Sequence, residues 1–383
     1  MKYFDFAATT PLDSEAAEVY VKVGTEYFGN SSSLHDIGGL SKSLLENCRE
    51  ELANLIGIDK NGLFFTSGGS EGNFLAIEAL LSAPKKKGKH IIAGLAEHSS
   101  VHGTLNRLKK SGYEVTLIPF NKKGLIDLEQ LLSSIKPDTV LMILQHVNSE
   151  IGTIQPIEEV AKVCKENQIH LHSDFVQSFG KVKIQSIVPY VSSFAFSGHK
   201  IYGPKGIGGV YVDPRIKWEP FFPGTSHEKG FRPGTLNIPA IAAMTVAAQK
   251  LFSRLTEELM NYQLLRKSFI QSLEPIKDSI KIHQADEDSQ LPQIIGLGIS
   301  GIQGQWMMLE FNRLGFAIST GSACHSGMQQ PAIITQALGL EMDEAKEFIR
   351  ISFGQSTGLE DVIQLGKAMV QIVKAFKGEP LLK

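Results

Sequence analysis

The chain has 383 residues, of which 42% are hydrophobic and 20% charged, and its formal net charge at pH 7 is −2. These values are typical of a soluble globular protein that can bury one large and one smaller core. They exclude the strongly basic surface that would make nucleic acids or anionic membranes the expected partners.

Neither a targeting segment nor a disulfide framework is expected. The N-terminal sequence MKYFDFAATTPLD places an aspartate where a secretory signal needs its apolar core, and apolar runs such as residues 139–144 are too short to cross a bilayer. Cys48, Cys164 and Cys324 lie far apart without a C-x-x-C pair, which suits a reducing cytoplasm. We therefore expect a cytoplasmic protein in which an odd thiol can be reactive.

Short apolar runs alternate with helical patterns between about residues 40 and 250. The runs predict strands at 63–66, 90–95, 139–144, 168–172, 193–196 and 208–212, and the patterns between them include helices at 73–81, 99–111 and 157–166. Such alternation is typical of an α/β fold with a mostly parallel sheet covered on both faces. Ligands bind these sheets beyond the carboxyl ends of the strands, so the chemistry is expected just after each apolar run.

A long helical pattern over residues 240–273 precedes a C-terminal part of different character. That part holds a polar stretch at 284–290, two strand candidates and two terminal helices. We predict a large domain at residues 14–254 and a smaller α+β domain formed by residues 1–13 and 255–383.

Two of the strand ends carry candidate ligand-binding groups. The first strand is followed by Ser67-Gly68-Gly69-Ser70-Glu71-Gly72-Asn73 and a helix, a place where backbone N–H groups can bind a phosphate. The same residues fit an ordinary glycine-rich turn equally well. The second strand is followed by His98, and a lone histidine at such a position is more often structural.

The strand at 168–172 ends close to Asp174, with Gln177 three residues later. Period-two alternation places His170, His172 and Asp174 on one face, a pattern that can bind a metal. A metal site would need another ligand close by, and residue 175 is phenylalanine, so no metal is expected. A buried acid at a strand end can instead pair with a cationic ring nitrogen.

A lysine and a cysteine occupy the two remaining positions of interest. Lys200 follows the strand at 193–196 inside SGHKIYGPKGIGG, where desolvation and nearby cations would favour a Schiff-base nucleophile. Lys205, in the same loop, fits a surface lysine better. Cys324 lies at the centre of the glycine- and serine-rich sequence STGSACHSGMQQ, whereas Cys48 and Cys164 fall inside helical patterns.

Taken together, these segments resemble one family. The chain is similar to the NifS/IscS-type cysteine desulfurases, which are pyridoxal-phosphate (PLP) enzymes of the aspartate aminotransferase-like fold. The resemblance extends along essentially the whole chain, through the segments YFDFAATTPLD, FGNSSSLHDIG, FTSGGSEGN, EHSSV, HVNSEIGTIQP, HSDFVQS, SGHKIYGPKGIGGVYV, GFRPGTLN, STGSACHSG and IRISFG.

The resemblance implies a role for each matching cofactor residue. Lys200 would bind the cofactor covalently, Asp174 would pair with the pyridinium nitrogen and keep the ring an electron sink, and Gln177 would bond the ring hydroxyl. His98 would stack on the ring and relay protons. The residues implied in binding the phosphate are Gly69, Ser70, Ser197 and His199, with Thr235 contributed by the partner subunit of a homodimer.

The same resemblance implies the reaction and its partners. Asn148 and Arg350 would hold the carboxylate of L-cysteine, Asn148 lying against the cofactor as well, and Arg350 acting as a bidentate fork. Cys324 would accept the sulfur as a persulfide and pass it to a sulfur-acceptor protein, which could be an iron–sulfur scaffold, a thiolation enzyme or a dedicated client.

Two other readings remain open. The chain could be a selenocysteine lyase or an aminotransferase on the same fold, but an aminotransferase has no use for the thiol of Cys324. It could also be a catalytically silent scaffold for sulfur-transfer partners, and the presence of Lys200, Asp174 and Gln177 disfavours this.

Overall fold

The computed structural model describes residues 1–321 and 331–378. Within these ranges the α-helices, numbered in chain order, are α1 Ser14–Glu26, α2 Asp36–Ile56, α3 Gly69–Ser82, α4 Ser99–Lys110, α5 Leu128–Ser133, α6 Ile157–Glu166, α7 Ile238–Ser272, α8 Gly304–Arg313, α9 Ile333–Ala337, α10 Met342–Lys346 and α11 Leu359–Lys377. The strands are β1 Lys2–Tyr3, β2 Leu63–Thr66, β3 His90–Gly94, β4 Glu114–Ile118, β5 Thr139–Ile143, β6 His170–Asp174, β7 Ser193–Ser197, β8 Gly208–Val212, β9 Ile280–His283, β10 Ile294–Ile299, β11 Phe316–Ala317 and β12 Phe348–Ser352.

Seven strands form the larger sheet, in the order β2-β8-β7-β6-β5-β3-β4. Strands β3 to β7 pair in parallel, and β8 runs antiparallel to both β7 and β2. Every residue of β3, β5, β6, β7 and β8 is buried, as expected for strands covered on both faces. The predicted α/β fold with a mostly parallel sheet is confirmed.

Two strands differ from the pattern that the sequence predicts. Strand β6 starts at His170 rather than at residue 168, because Gln168 has a φ of +55° that extended backbone does not allow. The shift makes Asp174 the last residue of β6. Strand β4 is not predicted, since it lies at the edge of the sheet and is only partly buried.

A smaller antiparallel sheet, in the order β12-β10-β9, has its own apolar core. Helix α7 connects the two cores, packing Ile241 and Leu251 into the first and Leu265 and Phe269 into the second. The N-terminal residues join the smaller core, where Phe4 is buried and β1 pairs with β11. The division into residues 14–254 and residues 1–13 with 255–383 stays a prediction.

Among the described residues, no helix combines the length and the apolar character that crossing a membrane requires.

Candidate active site

A cleft of about 250 Å³ lies where the strands of the larger sheet end. It gathers the residues that follow β2, β3, β6 and β7, because the carboxyl ends of strands running in one direction meet at the same edge of a sheet. The predicted site residues that line it are Gly69, Ser70, His98, Asp174, Gln177, Ser197, His199, Lys200 and Arg350.

One corner of the cleft is suited to bind an anion. Helix α3 begins here, and no side chain among the described residues caps its first turn. A Cβ atom added to Gly69 would lie 2.5 Å from Cγ2 of Val176, so this close approach of helix and loop requires glycine. The helix N-terminus, with its N–H groups and positive dipole end, and the hydroxyls of Ser70 and Ser197 can together hold a phosphate group.

His199 faces the same corner as a neutral imidazole. Burial and the positive charges of Lys200 and Lys181 lower the pKa of His199 to about 4. Its Nδ1 atom lies 3.2 Å from Oγ1 of Thr9. At neutral pH the ring can therefore bind an anion by one N–H hydrogen bond and not as a second positive charge.

At the end of β6, Asp174 is held by a chain of buried hydrogen bonds. The Asn73 Nδ2 atom donates to Oδ2 of Asp174 at 2.7 Å, and the Val176 N–H donates to Oδ1 at 2.8 Å. Behind Asn73, its Oδ1 atom lies 3.1 Å from Nε2 of His172, whose Nδ1 atom lies 2.8 Å from Oγ of Ser193. These contacts fix the carboxylate at the cleft.

His172 is a neutral link in this chain, because burial lowers its pKa to about 3. Its neighbour in the alternation, His170, lies within hydrogen-bond distance of Ser192 Oγ and of the Ala83 carbonyl. Within residues 1–321 and 331–378, no three His, Cys, Asp or Glu side chains form a metal-ligating group.

Lys200 lies in a short 3₁₀ turn directly after β7. Its Nζ atom donates to the carbonyl of Ala7 at 2.6 Å and to that of Ala8 at 2.8 Å. The Ala7 carbonyl also accepts a hydrogen bond from Nε2 of Gln177 at 2.8 Å. The N-terminal segment therefore crosses the cleft and holds the lysine and the glutamine through its backbone.

His98 caps the start of α4 and lines the cleft. Its Nδ1 atom accepts a hydrogen bond from the Ser100 N–H at 3.2 Å and lies 2.9 Å from Oγ of Ser100. The preceding residue, Glu97, is fully buried, and burial raises its pKa to about 8. A neutral carboxyl group therefore lies directly behind the histidine at neutral pH.

Arg350 reaches the cleft from β12 in the smaller sheet. Its Nη1 atom donates to the Ser149 carbonyl at 3.0 Å, and its Nη2 atom pairs with Oδ1 of Asp5 at 2.6 Å. The buried Nε atom has no hydrogen-bond partner among the described residues. The guanidinium is thus held in place from two sides while retaining donors for an anion.

Three predicted residues are not brought to the cleft by the described structure. The side-chain oxygen of Asn148 accepts from the N–H groups of Glu150 and Ile151, and of this loop Val147 and Ser149 line the cleft while Asn148 does not. Thr235 is exposed outside the cleft. Cys324 lies outside the described residues.

The sequence prediction omitted Asn73, Asp5 and Ser149 as site residues. Asn73 is the last residue of the predicted glycine-rich turn, one helical turn beyond Gly69, and this spacing could have indicated it. Asp5 and Ser149 carry no such signal, since each contacts Arg350 only through the packing of distant segments.

Comparison with known proteins places the chain in a family. The family described as Aminotransferase class-V matches residues 2–365. The chain belongs to this family. It is 44% identical to NifS of Bacillus subtilis (strain 168) over 382 residues, which cover 99% of this chain and 96% of that protein. It is 36% identical to cysteine desulfurase IscS of Neisseria meningitidis serogroup C over 363 residues, covering 94% and 89% of the two chains.

The chain is similar in fold to solved structures. A NifS-like protein superposes with a TM-score of 0.89 at 28% identity, covering 98% of this chain and 99% of that one. The structure of SspA in complex with cysteine gives a TM-score of 0.77 at 30% identity, with coverages of 92% and 99%.

Proposed function

We propose that this protein is a PLP-dependent cysteine desulfurase, which converts L-cysteine into L-alanine and carries the sulfur as a persulfide on Cys324. The observation that carries the proposal is the meeting of three groups in one cleft: the amine of Lys200, the buried carboxylate of Asp174 and the uncapped start of α3. Relatives named cysteine desulfurase, and a solved relative that binds cysteine, support the same reaction.

The residues present fit PLP. This cofactor has an aldehyde, a pyridine nitrogen and a phosphate, which require an amine, an acid and an anion site. The uncapped first turn of α3 and the glycine at position 69, where a Cβ would collide with Val176, provide the anion site. Lys200 would hold the aldehyde carbon, Asp174 the protonated ring nitrogen, and Gln177 the ring hydroxyl.

Bound PLP supplies an electron sink for the negative charge that develops at the substrate Cα atom. The carboxylate of Asp174, held by hydrogen bonds from Asn73 and Val176, would keep the ring nitrogen protonated. The Nζ atom of Lys200 removes the Cα proton, and the imidazole of His98 carries protons in the cleft. Arg350 binds the substrate carboxylate with the donors that Asp5 and Ser149 leave to it.

The sulfur step belongs to Cys324. Its thiolate attacks the sulfur of the bound substrate, so that an S–S bond forms while the substrate Cβ–S bond breaks. The electron pair of the broken bond stays with the carbon, which is protonated to give alanine. The protein keeps the outer sulfur as a persulfide, ready for transfer to an acceptor.

We further propose that the enzyme is a homodimer. Residues 12–40 expose a group of large apolar side chains, namely Leu12, Tyr20, Val21, Phe28, Leu34, Ile37 and Leu40. A second copy would cover these exposed apolar side chains and allow Thr235 to reach the partner's phosphate site. A sulfur-acceptor protein is the second partner, and the free thiols of Cys48 and Cys164 suit a reducing cytoplasm.

The proposal is tested with Lys200→Ala and a matched control, Lys205→Ala, which removes an exposed lysine of the same loop. Purified wild type and control should be yellow and release alanine from L-cysteine. Borohydride should fix the cofactor to a peptide containing Lys200. Lys200→Ala should lose turnover by several orders of magnitude. A colourless wild type that gains no colour with added PLP would contradict the proposal.

A further inference from the structure

Lys181 lies behind the cleft residue Gln177, and neither the sequence motifs nor the reaction accounts for this lysine. It follows Gln177 by four residues in the turns after β6. Backbone bonds from Phe179 to Phe175 and from Val182 to Ser178 wind this segment, so that residues 177 and 181 face the same side. The Nζ atom of Lys181 donates to Oε1 of Gln177 at 3.2 Å.

The amide of Gln177 is thereby bonded on both ends. Its oxygen accepts from Lys181, and its nitrogen donates to the Ala7 carbonyl at 2.8 Å. A carbonyl can only accept, so the Ala7 bond selects one of the two amide orientations, and the charged form of Lys181, which can only donate, selects the same one. The nitrogen keeps one further N–H, and Gln177 lines the cleft.

The orientation matters because the two ends of an amide have opposite character. With the nitrogen facing the cleft, Gln177 offers a donor to an anionic oxygen, whereas the flipped amide would offer a carbonyl that repels it. Hydrogen bonding to a charged form favours that form. The ring hydroxyl of PLP, when ionised, is such an oxygen.

The surroundings of Lys181 are unusual for a lysine that has no catalytic task. Its neighbours include Phe6, Leu255 and Tyr262, which enclose a small cavity beside it. Burial, together with the positive charges of Lys200 and Arg350, lowers the pKa of Lys181 to about 7. Burying an amine here destabilises the folded protein. The contact that this amine makes is its hydrogen bond to Gln177.

We propose that Lys181 is a positioning residue, which orients the Gln177 amide so that an N–H donor faces the ring hydroxyl of the cofactor. This role rests on the proposed function, since PLP supplies the hydroxyl. Lys181 itself contacts neither cofactor nor substrate. Its effect passes through Gln177 alone.

The test is a double-mutant cycle read from the absorbance of the bound cofactor. Lys181→Met, Gln177→Leu and the double variant are titrated with pH, with Lys183→Met as the control, since Lys183 is exposed in the same segment. Lys181→Met should raise the pH midpoint of the absorbance change by on the order of one unit, as expected for one lost hydrogen bond to a charged group. Lys183→Met should leave it unchanged.

The cycle distinguishes an effect of Lys181 that passes through Gln177 from a direct effect of its positive charge on the cofactor. If Lys181 acts through Gln177, the double variant should have the midpoint of Gln177→Leu alone. Lys181→Gln, an uncharged donor, should restore part of the wild-type midpoint. Additive shifts of the pH midpoint in the double variant, or no shift in Lys181→Met, would overturn the role of Lys181. A wild type that is yellow would still support the proposed function in that case. A wild type that bound no PLP would overturn both.

Discussion

The cofactor end and the substrate end of the cleft are built in different ways. At the cofactor end, Asp174 and Ser197 end the neighbouring strands β6 and β7 of one sheet, and Lys200 follows β7. At the substrate end, Arg350 comes from the smaller sheet and meets Asp5 of the N-terminal segment. The larger sheet thus places the side chains of the cofactor end, where Lys200 and Gln177 are also bonded to the Ala7 carbonyl of the N-terminal segment. The substrate end depends instead on how two sheets are held together.

The two ends also differ in how completely the protein satisfies the hydrogen-bonding groups of their charged side chains. Both oxygens of Asp174 already accept hydrogen bonds from the protein. Arg350 has an Nε atom without a partner among the described residues, although it is buried. An unsatisfied buried donor is costly, so a ligand that bonds it gains affinity. We conclude that the cofactor end is organised in advance and that the substrate end has unused binding capacity.

Among the variants that compare the two ends of the cleft, the largest effect is expected at the cofactor end, from Asp174→Asn. An amide cannot carry the negative charge that keeps the ring nitrogen protonated, so turnover should fall about a hundredfold to a thousandfold, the range for breaking a buried ion pair. Steady-state alanine release measures this, and cofactor absorbance should show that PLP is still bound.

The control for that prediction is Asp213→Asn. Asp213 follows β8, which runs antiparallel to β7, so it lies at the opposite edge of the sheet and pairs with Arg215. Its loss should leave turnover within a factor of about two, as for a surface ion pair. Equal losses in the two variants would show that the cofactor end has no special dependence on Asp174.

A smaller effect is expected at the substrate end, from Arg350→Lys. Lysine keeps the positive charge but loses the planar fork, so KM for cysteine should rise about tenfold to a hundredfold while the cofactor absorbance stays that of wild type. Arg313→Lys, at an exposed ion pair with Glu310, is the control. A loss of bound cofactor in Arg350→Lys would contradict the separation of the two ends.

A further effect concerns stability, not turnover, and involves the carboxyl group behind His98. The folded pKa of Glu97 is about 8, above its ordinary 4.5, because the residue is buried. Between these values the folded protein keeps a proton that the unfolded chain has lost, so stability falls as pH rises from about 4.5 to about 8. Glu97→Gln should remove this decline, a difference on the order of a few kcal/mol at pH 8.

Denaturant unfolding at several pH values measures that change, with Glu129→Gln as an exposed control. The glutamine oxygen can still accept the N–H of Gln145, which now donates to Glu97 at 2.8 Å. Parallel curves for Glu97→Gln and wild type across this pH range would show that Glu97 is ionised in the folded protein.

The cofactor end was largely predictable from the sequence, because its residues follow apolar runs that must be strands. The runs before Lys200 and Ser70 identify the edge of the sheet directly. The strand before Asp174 was predicted to start two residues too early. The sequence does not reveal the positive φ of Gln168, because such backbone is usually marked by glycine. Hence the predicted fold is confirmed, and Ser70, Asp174 and Lys200 line one cleft, while their roles stay predictions.

The substrate end was less predictable, because it depends on contacts between distant segments. Asp5 and Arg350 are 345 positions apart. The family resemblance implied Asn148 where the structure lines the cleft with Ser149, because the Asn148 oxygen accepts the N–H groups of Glu150 and Ile151 in the turn that follows. Family resemblance named Arg350 but offered no account of what holds it.

The central claim, that sulfur leaves cysteine through Cys324, is tested most directly by Cys324→Ser, with Cys48→Ala and Cys164→Ala as controls. Mass spectrometry after L-cysteine is added should find a persulfide on Cys324 in wild type and in both controls. Cys324→Ser should bind PLP and change its absorbance with cysteine, yet form no persulfide and release alanine orders of magnitude more slowly, because a hydroxyl is a far weaker nucleophile than a thiolate. Alanine and sulfide released by Cys324→Ser at the wild-type rate would contradict the account and favour a lyase.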